Sequence, residues 1–445
     1  MNIIFYSTNS NWFSPSKFAL HQFPRQVEVW KKLHKLFPGH SCFVVAHLPA
    51  MFLLDGDQFV DSAIDMPVRV VVTEKETPED IANEILLLKP DVAIAASFWV
   101  HPYDWLSLQD SMVGEILSAH GIRVLCTGSS TALCCFDKWQ THQFLQKNDF
   151  AVPKTVYVHH ELFWAERGNR ELRTNVYKQY VLHQLQELRY PVIIKDTTGV
   201  SSYSLELAVS YKQAVSYLAS GRTRGDRLVQ EYLEGPQYGV EVYGSDGKYS
   251  VFGPFLFSLN RYGVTSPKQS VKLGPVPISA SLREQVLRLS RILNIQGCAQ
   301  YDVIYSGRKW YIIEVNPRLS GMSESTSALL GLSPVAMLLL TAMHELDSFI
   351  NKEMAGRNII VCNLKIPLCT ESQLAQLYEL PFVHGLRQIQ NMTAKQEREK
   401  GYGELILAAQ SPHDMLMHLK RLQADFPDCM EPSFVQTACT MTELL

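Results

Sequence analysis

Short apolar runs recur through the first part of the chain at the spacing of strands separated by amphipathic helices. They are Ile3-Ile-Phe-Tyr6, Cys42-Phe-Val-Val-Ala46, Val68-Arg-Val-Val-Val72, Val92-Ala-Ile-Ala-Ala96 and Val124-Leu-Cys126. Between the third and fourth runs, Pro78 to Leu88 has helical periodicity, with Thr77 as N-cap, Pro78 in the first turn and acids close behind. Strand and helix in alternation predict a parallel, Rossmann-like sheet over residues 1–128. No GxGxxG follows the first strand, so the pattern does not predict a dinucleotide site there.

Beyond residue 128 the pattern changes to mixed α/β. A helical segment from Ser129 to Asp149 ends at Val152-Pro153, and Thr155 to Val158 and Pro191 to Lys195 read as strands around a polar helical stretch, Glu161 to Arg189. Tyr211 to Ser220 reads as a helix capped by Ser210, with strands at Arg227 to Leu233 and Gln237 to Tyr243. Ser281 is the expected cap of a helix running to Leu293, which leads into a hairpin. We therefore expect a domain at 129–345, with a first lobe at 129–226 and a second at 227–345. A small C-terminal α+β cap is expected at 355–445, from strands Ile359 to Ile366 and Glu404 to Ala408 and a helix from Ser411 to Gln423, with a frayed end after Asp425.

Composition narrows the class. The 445 residues leave room for about three domains, and 46% hydrophobic with 19% charged residues describes a soluble globular protein. A net charge of -3 gives no support for a nucleic-acid binder. The nine cysteines contain no CxxC pair and no Cys/His ligand array, which points to a reducing cytoplasm rather than zinc or a disulfide framework. The start, Met1 to Ser7, lacks the basic flank and apolar length of a signal peptide. Ala328 to Met343 is interrupted by Gly331, Ser333 and Pro334, so no membrane span is expected.

The chemistry concentrates in the hairpin. Cys298 to Tyr305 reads as one strand, Ser306-Gly-Arg-Lys309 as a turn and Trp310 to Val315 as the returning strand. Residues two apart share a strand face, so Glu314 and Asn316 point together; a register that adds Asp302 makes an oxygen cage suited to magnesium or manganese. Arg318 would aim a permanently charged fork at the same place. The competing reading is an amphipathic hairpin with solvated acids. Upstream, Lys195 ends a strand and leads into Asp196-Thr-Thr-Gly-Val-Ser-Ser202, a loop of small hydroxyl residues suited to phosphate. Leu228 to Val242, with Gln230-Glu-Tyr-Leu233 and Gln237 to Glu241, reads either as an adenine slot or as a surface hairpin with polar tips. Lys138, on its predicted helix, is either a phosphate cation or a solvated lysine.

In this order, Lys138, Lys195 with its loop, Val-Gln-Glu-Tyr-Leu-x-Gly, Asp302 and Glu-x-Asn-Pro-Arg resemble the ATP-grasp superfamily. The resemblance is to the branch with carbamoyl-phosphate synthetase, biotin carboxylase and L-amino-acid ligases, and it spans roughly 129–343. It implies ATP and Mg2+ (or Mn2+) as cofactors. Lys138 and Lys195 would contact phosphates, Gln230, Glu231, Tyr232 and Leu233 would form the adenine hinge, and Gln237 and Glu241 would lie near the ribose. Asp302, Glu314 and Asn316 match metal ligands, and Arg318 matches the arginine beside the transferred phosphoryl group. Lys268 and Lys272, in the loop Ser258 to Pro277, are alternative third phosphate cations. Gln230 and Gln237 stand where many relatives have carboxylates, and Asp196 where many have proline.

The implied activity is a carboxylate-amine ligase: ATP phosphorylates a carboxylate, and an amine captures the acyl phosphate to give an amide, ADP and phosphate. The segment from Ser320 and Gly321 into the next helix is expected to hold a substrate carboxylate, with a plain Ser/Thr cap as its alternative. Small-molecule carboxylates and amines are the expected partners, with neither nucleic acid nor membrane; oligomeric state, homodimer included, stays open. A bicarbonate-activating carboxylase or carbamoyl-phosphate type of enzyme, and a non-catalytic ATP-binding regulatory protein, are the two other readings. His101 and the pair His159-His160 carry no clear signal.

Overall fold

The computed structural model describes residues 1–8, 18–48, 50–55, 67–98, 106–169, 171–198, 205–220, 225–260, 271–353, 358–392 and 400–445. Lys268, His101 and residues 199–202 of the loop after Lys195 lie outside them.

The first sheet contains β1 (Asn2–Ser7), β3 (Ser41–Ala46), β4 (Val68–Val72), β5 (Val92–Ala95) and β6 (Arg123–Leu125), all parallel, in the order β4-β3-β1-β5-β6. Strand order reverses between β1 and β5, so the crevice of a doubly wound sheet opens beyond Ser7 and Ala95. Continuous apolar runs form here because helices cover both faces; Ile3, Ile4, Phe5 and Tyr6 are all fully buried. Thr77 caps helix Pro78–Leu87 as its sequence requires, its hydroxyl accepting from the Asp80 N–H at 3.1 Å.

A second, antiparallel sheet runs β7 (Thr155–Val158), β10 (Arg227–Glu231), β8 (Val192–Asp196) and β9 (Glu206–Ala208). The third sheet has nine strands. It begins with β15 (Lys309–Asn316), β14 (Gly297–Ser306), β11 (Gln237–Ser245), β12 (Lys248–Phe257) and β13 (Val271–Gly274). It continues through β16 (Ile360–Ile366), β18 (Gly401–Ala409) and β17 (Val383–Asn391) to β2 (Phe18–Phe23). The C-terminal strands thus extend the central sheet, and a strand from the start of the chain closes its far edge.

Strand parity divides this sheet into two faces. Val240, Val242, Tyr301, Val303, Ile312 and Val315 pack against helix Ala280–Ile292, and further along Leu273, Leu364, Leu405 and Leu386 pack under helices Pro412–Asp425 and Pro432–Thr442. The opposite face carries Glu314, Asp302, Glu241, Lys272, Asn363, Lys365, Glu404 and Arg387, and the loop Pro317–Met322 and the helices after it lie over it. Helix Pro334–Ala342 is buried on every side, wedged between this face and the parallel sheet. Its apolar composition is that of a core helix. No single helix among the described residues is long and apolar enough to cross a membrane.

Several local expectations are corrected. Ser279, not Ser281, caps helix Ala280–Ile292, with its hydroxyl accepting from Leu282 N–H at 3.2 Å. The stretch Ala328 to Met343 is two helices, Ser323–Leu330 and Pro334–Ala342, bent by 75°. Gly331 ends the first at φ 65, a conformation glycine adopts at little cost, and Pro334 starts the second. The polar stretch Glu161 to Arg189 holds three helices, His160–Phe163, Ala165–Gly168 and Val176–Gln186. After Asp425 the chain does not fray: helix Pro432–Thr442 buries Val435, Ala438 and Met441.

Candidate active site

The hairpin β14/β15 sets Asp302 directly opposite Glu314 and Gln300 opposite Asn316, on the face that holds Glu241. A register shift just after Asp302 re-aims the strand next to the paired carboxylates. Gln300 donates to Asp302 at 2.6 Å, while Glu314 makes no hydrogen bond or ion pair with any described residue. Burial, and then the facing carboxylate of Glu314, push Asp302 above the ordinary carboxylate range, against the pull of Lys272 and Lys138. Two carboxylates so placed, one without a partner, fit a hard divalent cation, with the amide oxygen of Asn316 on the same edge. No group of three or more His, Cys, Asp or Glu side chains with metal-ligand geometry occurs among the described residues, so oxygens from a bound ligand or water would have to complete the shell.

Arg318 is buried and already oriented. It donates to the Leu319 carbonyl at 2.9 Å and to Asn316 Oδ1 at 3.1 Å, which fixes the plane of its guanidinium beside the carboxylate pair and leaves Asn316 Oδ1 a second lone pair. Lys195, at the end of β8, faces the same space from the other sheet. Burial and the neighbouring ammonium of Lys138 depress it to about 8, partly offset by Glu314. Lys138 opens helix Lys138–Lys147, whose first N–H donates to the Thr197 carbonyl at 2.7 Å, so helix start and phosphate-type loop are tied together. Asp196 is taken up by an ion pair with its register partner Arg227, which removes it as a free charge at that loop.

The hinge segment shows which of its groups are spoken for. Glu231 N–H donates to the Lys154 carbonyl at 3.0 Å and Tyr232 N–H to the Pro191 carbonyl at 3.0 Å, while Gln230 donates to Thr155 at 3.0 Å. The Glu231 carboxylate accepts from Arg189 N–H at 2.9 Å. Leu233 N–H has no partner among the described residues, so the backbone there can still read the edge of a base. Gln237 is buried, opposite Ile304 on the carboxylate face.

Glu241 does not fit its expected place beside a ribose. It is fully buried, and its Oε1 accepts from Ser320 Oγ at 2.8 Å and Ser323 Oγ at 2.7 Å, holding the loop that follows Arg318. Burial raises its pKa against those bonds, and Oε2 stays unpaired. Ser320 is thereby an anchor rather than a free hydroxyl; it also accepts from Met322 N–H at 3.0 Å. Gly239 lets that loop lie flat on the sheet, since an added Cβ would stand 2.6 Å from Phe257 Cζ and 2.8 Å from Met322 Cε. Lys272 is on β13, away from the hinge, where a Cβ built on Gly321 would come within 3.5 Å of its ammonium.

Two contributors went unnoticed in the sequence. Ser97 and Thr127, at the ends of β5 and β6, line a small cleft with Gln296, Cys298 and Arg318. Asp110 holds that edge, accepting from Ser97, from Thr8 N–H at 2.8 Å and from Thr8 Oγ1 at 2.5 Å, and burial pushes it up to about 7. The second group is the buried network of Lys365, Glu404, Arg387 and Glu324. Lys365 pairs with Glu404 and Arg387 with Glu324. Burial alone would raise Glu404, but Lys365, Lys272 and Arg387 overcome it and hold it at about 2. An isolated Lys or Glu in a strand gives no signal in sequence.

Comparison with known proteins agrees with this architecture. Residues 135–322 match the family model of the ATP-grasp domain, and the chain carries that domain there. The L-amino acid ligase of Bacillus licheniformis superposes with TM-score 0.62 at 16% identity, covering 95% of this chain and 97% of the other. N5-carboxyaminoimidazole ribonucleotide synthetase from Thermus thermophilus gives 0.59 at 12% identity, covering 95% and 98%. The biotin carboxylase domain of Hydrogenobacter thermophilus 2-oxoglutarate carboxylase, solved with MgADP, ADP and bicarbonate, gives 0.56 at 13% identity, covering 95% and 88%. At these identities the likeness is one of fold: an ATP-grasp fold preceded by a parallel-sheet domain.

Proposed function

Taking its ATP-grasp domain as premise, we propose that this protein is an ATP-dependent carboxylate-amine ligase. It joins a small carboxylate to an amine as an amide through an acyl phosphate, with amino acids or small peptides as substrates. The observation that carries the reading is the facing pair Asp302 and Glu314, the latter without a partner among the described residues, next to Arg318 and within electrostatic reach of Lys138 and Lys195. Purely structural carboxylates are paired or solvated, and a half-buried like-charged pair is costly unless a cation is to be held there.

Each residue then has a role. Lys138 and Lys195 hold the β- and γ-phosphates, Leu233 N–H reads the adenine edge, and Asp302, Glu314 and Asn316 are the residues that would hold magnesium, which spreads phosphate charge when bound. Arg318, fixed by Asn316 and Leu319, stabilises charge on the transferred group and on the tetrahedral oxyanion that follows. The carboxylate attacks the γ-phosphorus and ADP leaves. The amine then attacks the acyl carbon, loses a proton and displaces phosphate. Burial on the sheet under the loop Arg318–Ser323 limits access of water to the acyl phosphate.

The test is phosphate release from MgATP across a panel of amino-acid pairs and bicarbonate, with mass spectrometry of the products. Amino-acid-dependent release with an amide product is expected. Release that depends on bicarbonate alone moves the protein to the carboxylase reading, and MgATP binding without turnover on any carboxylate refutes the ligase assignment.

A further inference from the structure

An amine that reaches the site as an ammonium has no lone pair, so it must give up a proton before it can attack a carbonyl carbon. Asp110, on helix Leu106–Ala119, is a buried carboxylate that the steps above leave unused. It is 0% exposed and has no ion pair among the described residues. Its Oδ1 accepts from Thr8 N–H at 2.8 Å and from Thr8 Oγ1 at 2.5 Å, and its Oδ2 accepts from Ser97 Oγ. Thr8 follows β1 and Ser97 lies just beyond β5, the two strands between which the order of the parallel sheet reverses. One carboxylate therefore holds both sides of the crevice in which doubly wound sheets bind their ligands.

Ser97 joins that carboxylate to the candidate active site. It lines one small cleft with Thr127, Cys298 and Arg318, so the residue that bonds Asp110 also borders the space beside Arg318. A brace alone needs no charge: an amide oxygen would accept from Thr8 as well, without the cost of a buried carboxylate. Burial pushes Asp110 up to about 7 against the pull of its three hydrogen bonds, near the pH at which a proton acceptor in a neutral solution works best. Tyr6 from β1 and Cys126 from the end of β6 are its titratable neighbours, and burial keeps both protonated well above neutrality. Glu115, farther along the same helix, accepts from Ser129 N–H at 2.7 Å and from Ser129 Oγ at 2.8 Å. Helix Pro78–Leu87 packs on this one through the apolar side chains of Ile81, Ala82 and Ile85. No neighbouring element thus brings a cation to Asp110 among the described residues.

We propose that Ser97 is a catalytic residue that takes a proton from the attacking amine and hands its own to Asp110, which acts through it as a positioning residue. The proposal rests on the ligase reading above and deepens it. The ammonium nitrogen yields one proton to Ser97 Oγ while the Ser97 proton moves to Asp110 Oδ2, and the freed lone pair forms the C–N bond. The C–O bond to phosphate then breaks with its electron pair on the phosphate oxygen, which takes the second proton that nitrogen loses as the amide forms. Hydrogen phosphate leaves, and the proton on Asp110 returns to solvent through Ser97.

The test compares amines that need this relay with one that does not. Hydroxylamine is largely unprotonated at neutral pH, so with MgATP and each of the twenty L-amino acids as carboxylate it reports acyl phosphate as a hydroxamate. The same carboxylates are then paired with the twenty amino acids and with ammonium as amines, and amide is measured. In Asp110→Asn and in Ser97→Ala the ratio of hydroxamate to amide turnover should rise about a hundredfold over wild type. The wild-type kcat for amide should fall below about pH 7, where Asp110 is protonated, and both variants should lack that limb. Ser97→Ala, which removes one hydroxyl, serves if Asp110→Asn does not fold. A ratio unchanged in a folded variant overturns the relay, because a structural role lowers both turnovers together; an acid limb that persists in the variants overturns it too. In either case hydroxamate from the wild type leaves the ligase reading standing. A wild type that makes no hydroxamate, or no amide from any amine offered, removes the ligase reading first and the relay with it.

Discussion

Replacing Asp302 by Asn should make the protein more stable without ligand and less responsive with it. Asp302 and Glu314 are directly opposed across β14 and β15, a separation of about 5 Å between side chains. At an effective dielectric of about 20 their repulsion is at most ~3 kcal/mol, and the attraction of Lys272 and Lys138 subtracts from it. A gain of about 1–2 kcal/mol is expected, which is a few degrees in melting temperature for a unit of roughly 150–250 residues. The sign follows from linkage. The folded pKa of Asp302 is raised, so its charge costs stability above the ordinary carboxylate pKa of about 4, and the cost grows until pH passes the raised value. Asn removes this loss, so the variant's advantage should be full near pH 8 and vanish near pH 4. With magnesium and ADP the order should reverse, because the wild type gains about 2.7 kcal/mol at ligand one hundredfold above Kd and the variant lacks the oxygen that holds the cation. Melting curves in EDTA and in MgADP at pH 4, 6 and 8 decide it. A variant less stable than wild type in EDTA at pH 8, with an undiminished MgADP shift, would refute the metal assignment and the electrostatics together.

Lys195, depressed to about 8 by burial and Lys138, should lose its charge as pH rises through that value, so kcat/KM for MgATP should fall above about pH 8; Lys195→Arg, charged throughout, should lack that limb, and a wild-type profile flat to pH 10 would contradict the assignment. The same shift makes Lys195 destabilising below about 8, with the cost relieved as pH climbs toward the ordinary lysine value near 10.4. Gly239→Ala should lower kcat at least severalfold and cost over ~1 kcal/mol in urea unfolding, because its Cβ must displace Phe257 and the loop at Met322 that follows Arg318. Glu241→Ala should cost about 2–4 kcal/mol in the same assay by stranding the Ser320 and Ser323 hydroxyls, whereas Glu241→Gln, which still accepts both bonds, should stay within ~1 kcal/mol of wild type.

What the chain discloses by itself follows the range of the interactions involved. The Asp302/Glu314 pairing was legible because one short hairpin with period-two alternation sets it. The parallel sheet was legible for the same reason, since each run declares its own periodicity. Ser279 and Ser281 are two residues apart and equally suited to capping, so only the helix start decides between them. Glu241 read as a ribose contact because the family resemblance places that position near the nucleotide; its burial depends on a loop 79 residues away, which no local pattern reveals. Lys365, Glu404 and Arg387 were invisible as a group. Their proximity comes from β16, β18 and β17 joining the sheet beside β13, a pairing between distant segments that no local pattern encodes.

The nine-stranded sheet also limits how this protein can be taken apart. Cutting the chain before β16 would bare the full hydrogen-bonding edge of β13, and trimming the first two dozen residues would do the same to β17. Either shortened version would present an open edge on which a second molecule can pair, the usual template for aggregation. The beginning and end of the polypeptide are stitched into one fabric, so fragments co-expressed as two pieces stand a better chance of yielding a working particle than any single catalytic core cut from the middle.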